Sequence, residues 1–222
     1  MILLYTAIIL ISGILAVLSA EYQDCFRKKQ DFSLGNIKKH FLEKPLGFII
    51  FSVMYVFFSV IAIMFYQRKN LSYMQLPQYV IFWECLLLSA WIDFNTKKIP
   101  NQLFIVLLAV RSVGILAEMS LENENPVSII ISSLSGMLAG GFIILVCRLV
   151  SRGGIGAGDV KLFAVTGFFF GLIPVMNILF YSTFISALAA GLLLITKKAK
   201  MKSTLALGPF VFIAINIYYI LL

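Results

Sequence analysis

Long apolar segments follow one another along almost the whole chain, and most charged residues lie between them. A helix needs roughly 20 apolar residues to cross the hydrocarbon core of a bilayer, which is about 30 Å thick. Inside that core the backbone must satisfy its own hydrogen bonds, as a helix does. We therefore predict an all-α, polytopic transmembrane helical bundle of about eight helices, formed by residues 1–20, 46–66, 76–92, 102–121, 126–149, 160–176, 177–196 and 204–222.

The composition supports this class of protein. Hydrophobic residues make up 61% of the chain and charged residues only 13%, which excludes an ordinary soluble domain. The boundary between the sixth and seventh segments contains no polar loop, and we place the break around Pro174 and Asn177. The first segment lacks a basic n-region and a good cleavage site, so we expect a retained helix there instead of a signal peptide.

The basic residues predict the orientation. If the N-terminus lies outside, the cytoplasmic loops are near residues 21–45, 94–101, 151–159 and 197–203. With the adjoining helix ends, these loops carry fifteen of the eighteen Lys and Arg residues, as is typical of the cytoplasmic side. We therefore predict a multi-pass protein of the cell inner (cytoplasmic) membrane with its N-terminus outside. The net charge of +8 then reflects this topology and contact with membrane lipids, and no nucleic-acid partner is expected.

Two aspartates lie near the predicted cytoplasmic boundary. Asp93 follows the third apolar segment, and Asp159 ends a glycine-rich run at residues 153–159. Carboxylates beside apolar spans are costly and usually functional. Two close carboxylates at low dielectric cannot both ionise cheaply, so one keeps its proton while the other acts as a base. Such a pair is suited to the attack of water on an amide.

The glycines before Asp159 have two interpretations. They permit a tight turn that presents the carboxylate beside another helix. Alternatively, they allow close helix packing, which we also expect of the Gly136/Gly140 and Gly167/Gly171 pairs because of their spacing.

The motifs carry a family resemblance. Residues 156–161, Gly-Ala-Gly-Asp-Val-Lys, resemble the GxGD-x-K signature of type IV prepilin peptidases, which are intramembrane aspartic proteases. Asp93 followed by Ile-Pro-Asn at residues 99–101 resembles the other half of that signature, and residues 208–210 are similar to the family's Gly-Pro-Phe element. The resemblance covers roughly residues 76–222.

This resemblance implies a function. Asp93 and Asp159 would be the catalytic pair, and they would cleave the basic leader from a prepilin or pseudopilin at the cytoplasmic membrane face without a cofactor. The substrate would carry a hydrophobic N-terminal helix after its leader. We accordingly divide the chain into a two-helix membrane region with a basic cytoplasmic loop, residues 1–75, and a six-helix GxGD aspartic peptidase core, residues 76–222.

Other residues in the motifs would shape the site. Lys161 would either hold the ionised dyad and orient its loop or extend to the cytoplasm as a helix-end cation. Pro100 would end a loop and Asn101 would cap the next helix. A break at Gly208 and Pro209 would make room near the site. The complete set comprises Gly156, Gly158, Lys161, Pro100, Asn101, Gly208 and Pro209.

A structural ion pair is predicted independently of the family. Glu84 lies about 13.5 Å before Asp93 along its helix, and Arg111 lies about 15 Å beyond Asn101 on the next helix. At this similar depth, pairing would offset the cost of each charge.

The cysteines argue against a zinc site. The chain has Cys25, Cys85 and Cys147, none in a CxxC pair, whereas bifunctional prepilin peptidases carry paired CxxC motifs in a methyltransferase module. The single histidine, His40, lies in a basic stretch and is expected to be solvated. We therefore predict no metal and no N-methyltransferase activity.

Two other functions stay open. Presenilin and signal-peptide-peptidase proteases share GxGD, but they place the first aspartate after tyrosine, where this chain has Ile92. A cation-coupled transporter would bind ions at carboxylates in broken helices near the midplane, usually within an inverted repeat. The chain has no convincing repeat, and both aspartates lie near one face.

Overall fold

The described part of the chain is helical. The computed structural model describes residues 53–57, 60–61, 64, 75–121, 125–151, 154–197 and 205–221. Within these ranges there is no strand, which confirms the all-α prediction. Residues 53–57 are helical, and six further helices have defined bounds: α1 (Gln75–Thr96), α2 (Asn101–Leu121), α3 (Pro126–Val150), α4 (Ala157–Phe170), α5 (Leu172–Ile195) and α6 (Gly208–Leu221).

Three of these helices, α2, α3 and α5, are long and apolar enough to cross a membrane. Large apolar side chains such as Leu138, Phe142 and Phe180 are exposed on them, as expected for helices that face lipid. The predicted total of eight crossings and the outside N-terminus stay predictions. Residues 1–20 and the basic loop at 21–45 lie outside the described ranges.

The chain forms two compact units, residues 1–88 and 89–222, whose boundary falls inside α1. In the first unit, the hydroxyl of the buried Tyr55 donates to the carbonyl of Glu84 at 3.1 Å. In the second unit, α4 packs most extensively against α3, and α5 packs against α6 and α3. The predicted division into residues 1–75 and 76–222 as functional regions stays a prediction.

The predicted helix break around Pro174 and Asn177 is wrong. The chain breaks at Gly171, whose φ of 83° and ψ of −175° end α4 and start α5. Glycine adopts such a positive φ without steric cost. Pro174 lies in the first turn of α5, where its missing N–H costs no helical hydrogen bond.

The predicted packing role of the paired glycines is confirmed. A Cβ atom on Gly136 would overlap the backbone of Gly167 and Gly171, and one on Gly140 would lie 2.5 Å from the Phe163 carbonyl oxygen. The backbones of α3 and α4 therefore meet directly. This contact holds α4, whose first turn contains Asp159, against the long apolar helix α3.

Candidate active site

Asp93 lies in the last turn of α1, beyond the apolar segment 76–92, and is only 5% exposed. Its Oδ2 atom accepts a hydrogen bond of 2.9 Å from the backbone N–H of Gly208, the first residue of α6. A helix N-terminus is a favourable partner for a carboxylate, because its free N–H groups carry partial positive charge. The residue at this N-terminus must be small, since a Cβ on Gly208 would lie 3.0 Å from Oδ2 of Asp93.

Asp159 lies in the first turn of α4 and is half-buried. Its Oδ2 atom accepts a hydrogen bond of 3.1 Å from the N–H of Gly156, the N-cap residue of the same helix. This is the carboxylate half of a capping box. Both aspartates therefore accept from the first N–H groups of a helix, Asp159 from its own helix and Asp93 from α6.

One cavity of about 380 Å³ contains both carboxylates. Its volume falls in the range of ordinary ligand-binding clefts. Its lining comes from the end of α1, the following loop, the start of α2 and the start of α4, and comprises Asp93, Lys97, Lys98, Ile99, Asn101, Gly156, Ala157, Gly158, Asp159 and Lys161.

The two carboxylates influence each other's ionisation. Burial raises the pKa of Asp93, and the N–H of Gly208 partly opposes this shift. Burial, followed by the charge of Asp93, raises the pKa of Asp159 to about 6, while the N–H of Gly156 and the charge of Arg148 act to lower it. Because the charge on either carboxylate disfavours ionisation of the other, one of the two retains its proton to higher pH while the other ionises first.

The other motif residues lie around this cavity. The Lys161 ammonium donates to Oδ1 of Asn101 at 2.7 Å, joining the start of α4 to the start of α2. Gly158 packs against Ile99, whose Cβ would lie 3.3 Å from a Cβ at position 158. Pro100 is buried immediately before α2. Pro209 follows Gly208 in the first turn of α6, so this pair begins the helix instead of interrupting it.

The part of the chain that resembles known proteins includes this cavity. Residues 79–195, more than half of the chain, match the type IV leader peptidase family. The chain belongs to the type IV leader peptidase family. Asp93 and Asp159 both lie inside the matching stretch, whereas Gly208 and Pro209 lie beyond it. Together with the three apolar helices, this family makes the chain a membrane protein.

A curated protein is similar to part of this chain. The "Prepilin leader peptidase/N-methyltransferase" of Bacillus subtilis (strain 168) is 29% identical over 130 residues. The alignment covers 59% of this chain and 50% of that protein, so the chain spans about half the length of the relative it matches. No solved structure matches the chain.

Sequence reasoning missed several contributors to the site. Ile99 was recognised as part of the Ile-Pro-Asn motif, but its packing against Gly158 was not predicted. Arg148, at the end of α3, acts on Asp159 through its charge. Lys97 lines the cavity with a φ of 53°, in the left-handed region that ends α1. The contribution of Lys97 could have been predicted, because this residue lies between Asp93 and the Ile-Pro-Asn motif in the sequence. The effect of Arg148 could not have been predicted, because it depends on how α3 and α4 pack.

Arg111 has a partner on its own helix. It forms a 2.7 Å ion pair with Glu118, and both side chains are buried. Glu118 lies seven residues after Arg111, about two helical turns along α2, and this spacing puts both side chains on one face of the helix. Glu84 is buried in α1 and belongs to the other unit, so its predicted pairing with Arg111 stays a prediction.

The cysteines are distributed over different elements. Cys85 lies in α1 and Cys147 is exposed on α3, while Cys25 and His40 lie outside the described ranges. In the part of the chain that the structure describes, no group of three or more His, Cys, Asp or Glu side chains could hold a metal ion. The predicted absence of a zinc site over the full sequence stays a prediction.

Proposed function

We propose that the chain is an intramembrane aspartic endopeptidase that removes the basic leader from type IV prepilins or pseudopilins. One observation carries the proposal: Asp93 and Asp159 line the same cavity, within the stretch that matches the type IV leader peptidase family. The printed name of the similar B. subtilis protein supports the substrate class.

The proposed chemistry divides two roles between the aspartates. Asp93, which we assign as the ionised member of the pair because the Gly208 N–H donates to its carboxylate, takes a proton from a water molecule in the cavity, and the resulting hydroxide attacks the scissile carbonyl carbon. Asp159, which keeps its proton to about pH 6, donates a hydrogen bond to the scissile carbonyl and then protonates the leaving amine. The Gly208 N–H holds the Asp93 carboxylate in place through this exchange.

The proposed membrane face is cytoplasmic. Lys97, Lys98 and Lys161 surround the cavity, and such basic residues are typical of the cytoplasmic ends of helices. A substrate could enter from the bilayer with its apolar helix while its basic leader stays in the cytoplasm. The scissile bond would then lie at the depth of the two aspartates.

We further propose that the chain cleaves its substrate without methylating it. The three cysteines of the sequence form no CxxC pair, which leaves no ligand set for the zinc of a methyltransferase module. Transfer of a methyl group from S-adenosylmethionine to the processed substrate by the purified protein would contradict this part of the proposal.

Co-expression with a candidate prepilin tests the peptidase function. Wild-type protein should remove the leader, whereas Asp93→Asn and Asp159→Asn should each abolish cleavage because the dyad loses its base or its acid. Asp24→Asn is the matched control: it makes the same chemical change outside the family match and should leave cleavage intact. Full activity in either dyad variant, or coupled cation uptake without proteolysis in proteoliposomes, would contradict the proposal.

A further inference from the structure

A buried arginine joins three helices of the second unit. Arg111 lies halfway along α2 and is only 5% exposed, although its side chain carries a full charge. Its guanidinium donates to Glu118 on α2 at 2.7 Å, to the Phe168 carbonyl on α4 at 3.4 Å and, at 3.5 Å, to the Ser133 hydroxyl on α3. A charged group at this position in an apolar helix is costly and is usually retained for a function.

Arg111 contacts α4 at the last turn of that helix. Phe168 belongs to the last turn of α4, where carbonyl groups have no N–H partner further along the helix. The chain turns at Gly171 and its N–H returns to Gly167, leaving the Phe168 carbonyl for Arg111. A cation also interacts favourably with the C-terminal end of a helix dipole. Arg111 is therefore a cap for α4, supplied by a different helix.

Asp159 lies at the opposite end of the same helix. Since α4 has only 14 residues and no internal break, a shift or rotation at its last turn is transmitted to its first turn. Small displacements of a catalytic group, of about 1 Å, cost roughly 100-fold in rate. We propose that Arg111, held by Glu118, is a positioning residue that sets the place of Asp159 relative to Asp93 by fixing the C-terminal end of α4; this rests on the proposed function of the dyad.

Stability alone is a poor explanation for the Arg111–Glu118 pair. Replacing a buried ion pair by apolar residues of similar size is often neutral or stabilising, whereas removing one partner leaves an uncompensated charge. The double variant Arg111→Met/Glu118→Leu removes both charges of the pair together, so neither is left facing an empty partner position, and it deletes the cap on α4. Thermal unfolding in detergent checks that this variant is folded before its activity is compared. Thr166→Val is the matched control, because the Thr166 hydroxyl is buried in α4 and donates to the Leu162 carbonyl of the same helix.

A cross-link measures the position of α4 without any substrate. Cysteines at Ile99 and Gly158, in a background with the native cysteines changed to alanine, would have Cβ atoms about 3.3 Å apart, close to disulfide geometry. The disulfide should form readily in this background and in Thr166→Val. It should form at least about tenfold more slowly in the Arg111→Met/Glu118→Leu protein, since a small misplacement removes the required geometry. Equal rates in all three would overturn the proposal.

The second measurement is the kinetics of leader removal, made with proteins that retain the native Ile99, Gly158 and cysteines. Arg111→Met/Glu118→Leu should lower kcat about tenfold or more with little change in KM, because the substrate still binds while the dyad is misplaced. The pH at which kcat/KM falls should also shift in this double variant. The single variant Arg111→Lys should have an activity between those of the double variant and the wild type, because lysine keeps the charge but lacks the guanidinium fork. A stably folded double variant with wild-type kcat and pH profile would overturn the proposal.

The two proposals can fail separately. A wild-type protein that cleaves no prepilin contradicts the peptidase function, and the cross-linking rates still decide whether Arg111 positions α4. A wild-type protein that cleaves, together with a double variant that cross-links and cleaves equally well, contradicts only the positioning role.

Discussion

At Gly208, the absence of a single methyl group determines where the Asp93 carboxylate can lie. A Cβ at this position would stand 3.0 Å from Oδ2 and 3.2 Å from Cβ of Asp93, and 3.3 Å from the Cα atom of Ala90. The backbone N–H of the same residue donates to that carboxylate. Space and hydrogen bonding at one glycine therefore act together on one half of the proposed dyad.

Gly208→Ala should lower kcat about tenfold or more, because α6 or Asp93 must move by a few tenths of an ångström and the carboxylate loses its position. Leader removal by purified enzyme in detergent measures this. Gly191→Ala is the control, since nothing lies within 4 Å of a Cβ there, and it should cleave at the wild-type rate. Equal activity of the two variants would contradict a positional role for Gly208.

The ionisation of Asp159 predicts a pH dependence. Its pKa is raised to about 6, and in the proposed mechanism it acts while protonated, so kcat/KM should fall as the pH rises through about 6. The charge of Arg148 lowers this pKa, and Arg148→Gln should therefore move the fall to higher pH. Lys197→Gln, at the end of α5, should leave the profile unchanged. A fall that moves to lower pH in Arg148→Gln would contradict the proposed role of Asp159.

At the scale of single residues, the sequence predicts side-chain chemistry better than hydrogen-bond partners. Asp93 and Asp159 are recognisable because each follows or begins an apolar segment, where a carboxylate is costly. The bond between Gly208 and Asp93 joins residues 115 positions apart and leaves no local pattern. The bond between Lys161 and Asn101 spans 60 positions, and it favours an orienting role for Lys161 over that of an unattached helix-end cation.

The contact between α3 and α4 depends on glycine at several turns. Gly136 and Gly167 approach so closely that either backbone occupies the place of the other's Cβ. Glycine spacing within each helix was enough to predict packing, because residues four apart lie on one face. The break at Gly171 was missed because apolar residues flank it on both sides, so hydropathy shows no boundary there.

Gly136→Ala should destabilise the protein by at least roughly 2 kcal/mol, because α3 and α4 must separate to admit a methyl group. Thermal unfolding in detergent measures the effect. Gly191→Ala again is the matched control and should be neutral or slightly stabilising, since alanine is the better helix former. A wild-type Tm in Gly136→Ala would contradict direct backbone contact between α3 and α4.

For the whole molecule, the distribution of basic residues predicts which side of the membrane each helix end faces. In the proposed topology, the start of α2 faces the cytoplasm and its end faces outside. Cysteines at the exposed positions Lys98 and Ser120, each introduced into a chain whose native cysteines are replaced by alanine, should therefore report opposite sides.

An impermeant maleimide applied to intact spheroplasts should label Ser120→Cys, and it should label Lys98→Cys only after the membrane is permeabilised. The reverse pattern would place the cavity outside and contradict cytoplasmic cleavage. Hydropathy and charge support such a whole-molecule prediction because they are summed over many residues. They do not determine the number of crossings, since α4 and α6 have only 14 residues each.

The shortness of α4 has a consequence for the depth of its ends. A helix of 14 residues is about 21 Å long, well short of a hydrocarbon core of about 30 Å. Most of its side chains between Leu162 and Phe169 are buried inside the protein, so neighbouring helices surround it instead of lipid. A helix sheltered in this way can end below the membrane surface, because polar backbone at that depth is tolerated where it is buried in protein or lines a wet cavity. In the proposed topology, the cavity at the first turn of α4 would thus bring water to Asp159 within the thickness of the membrane.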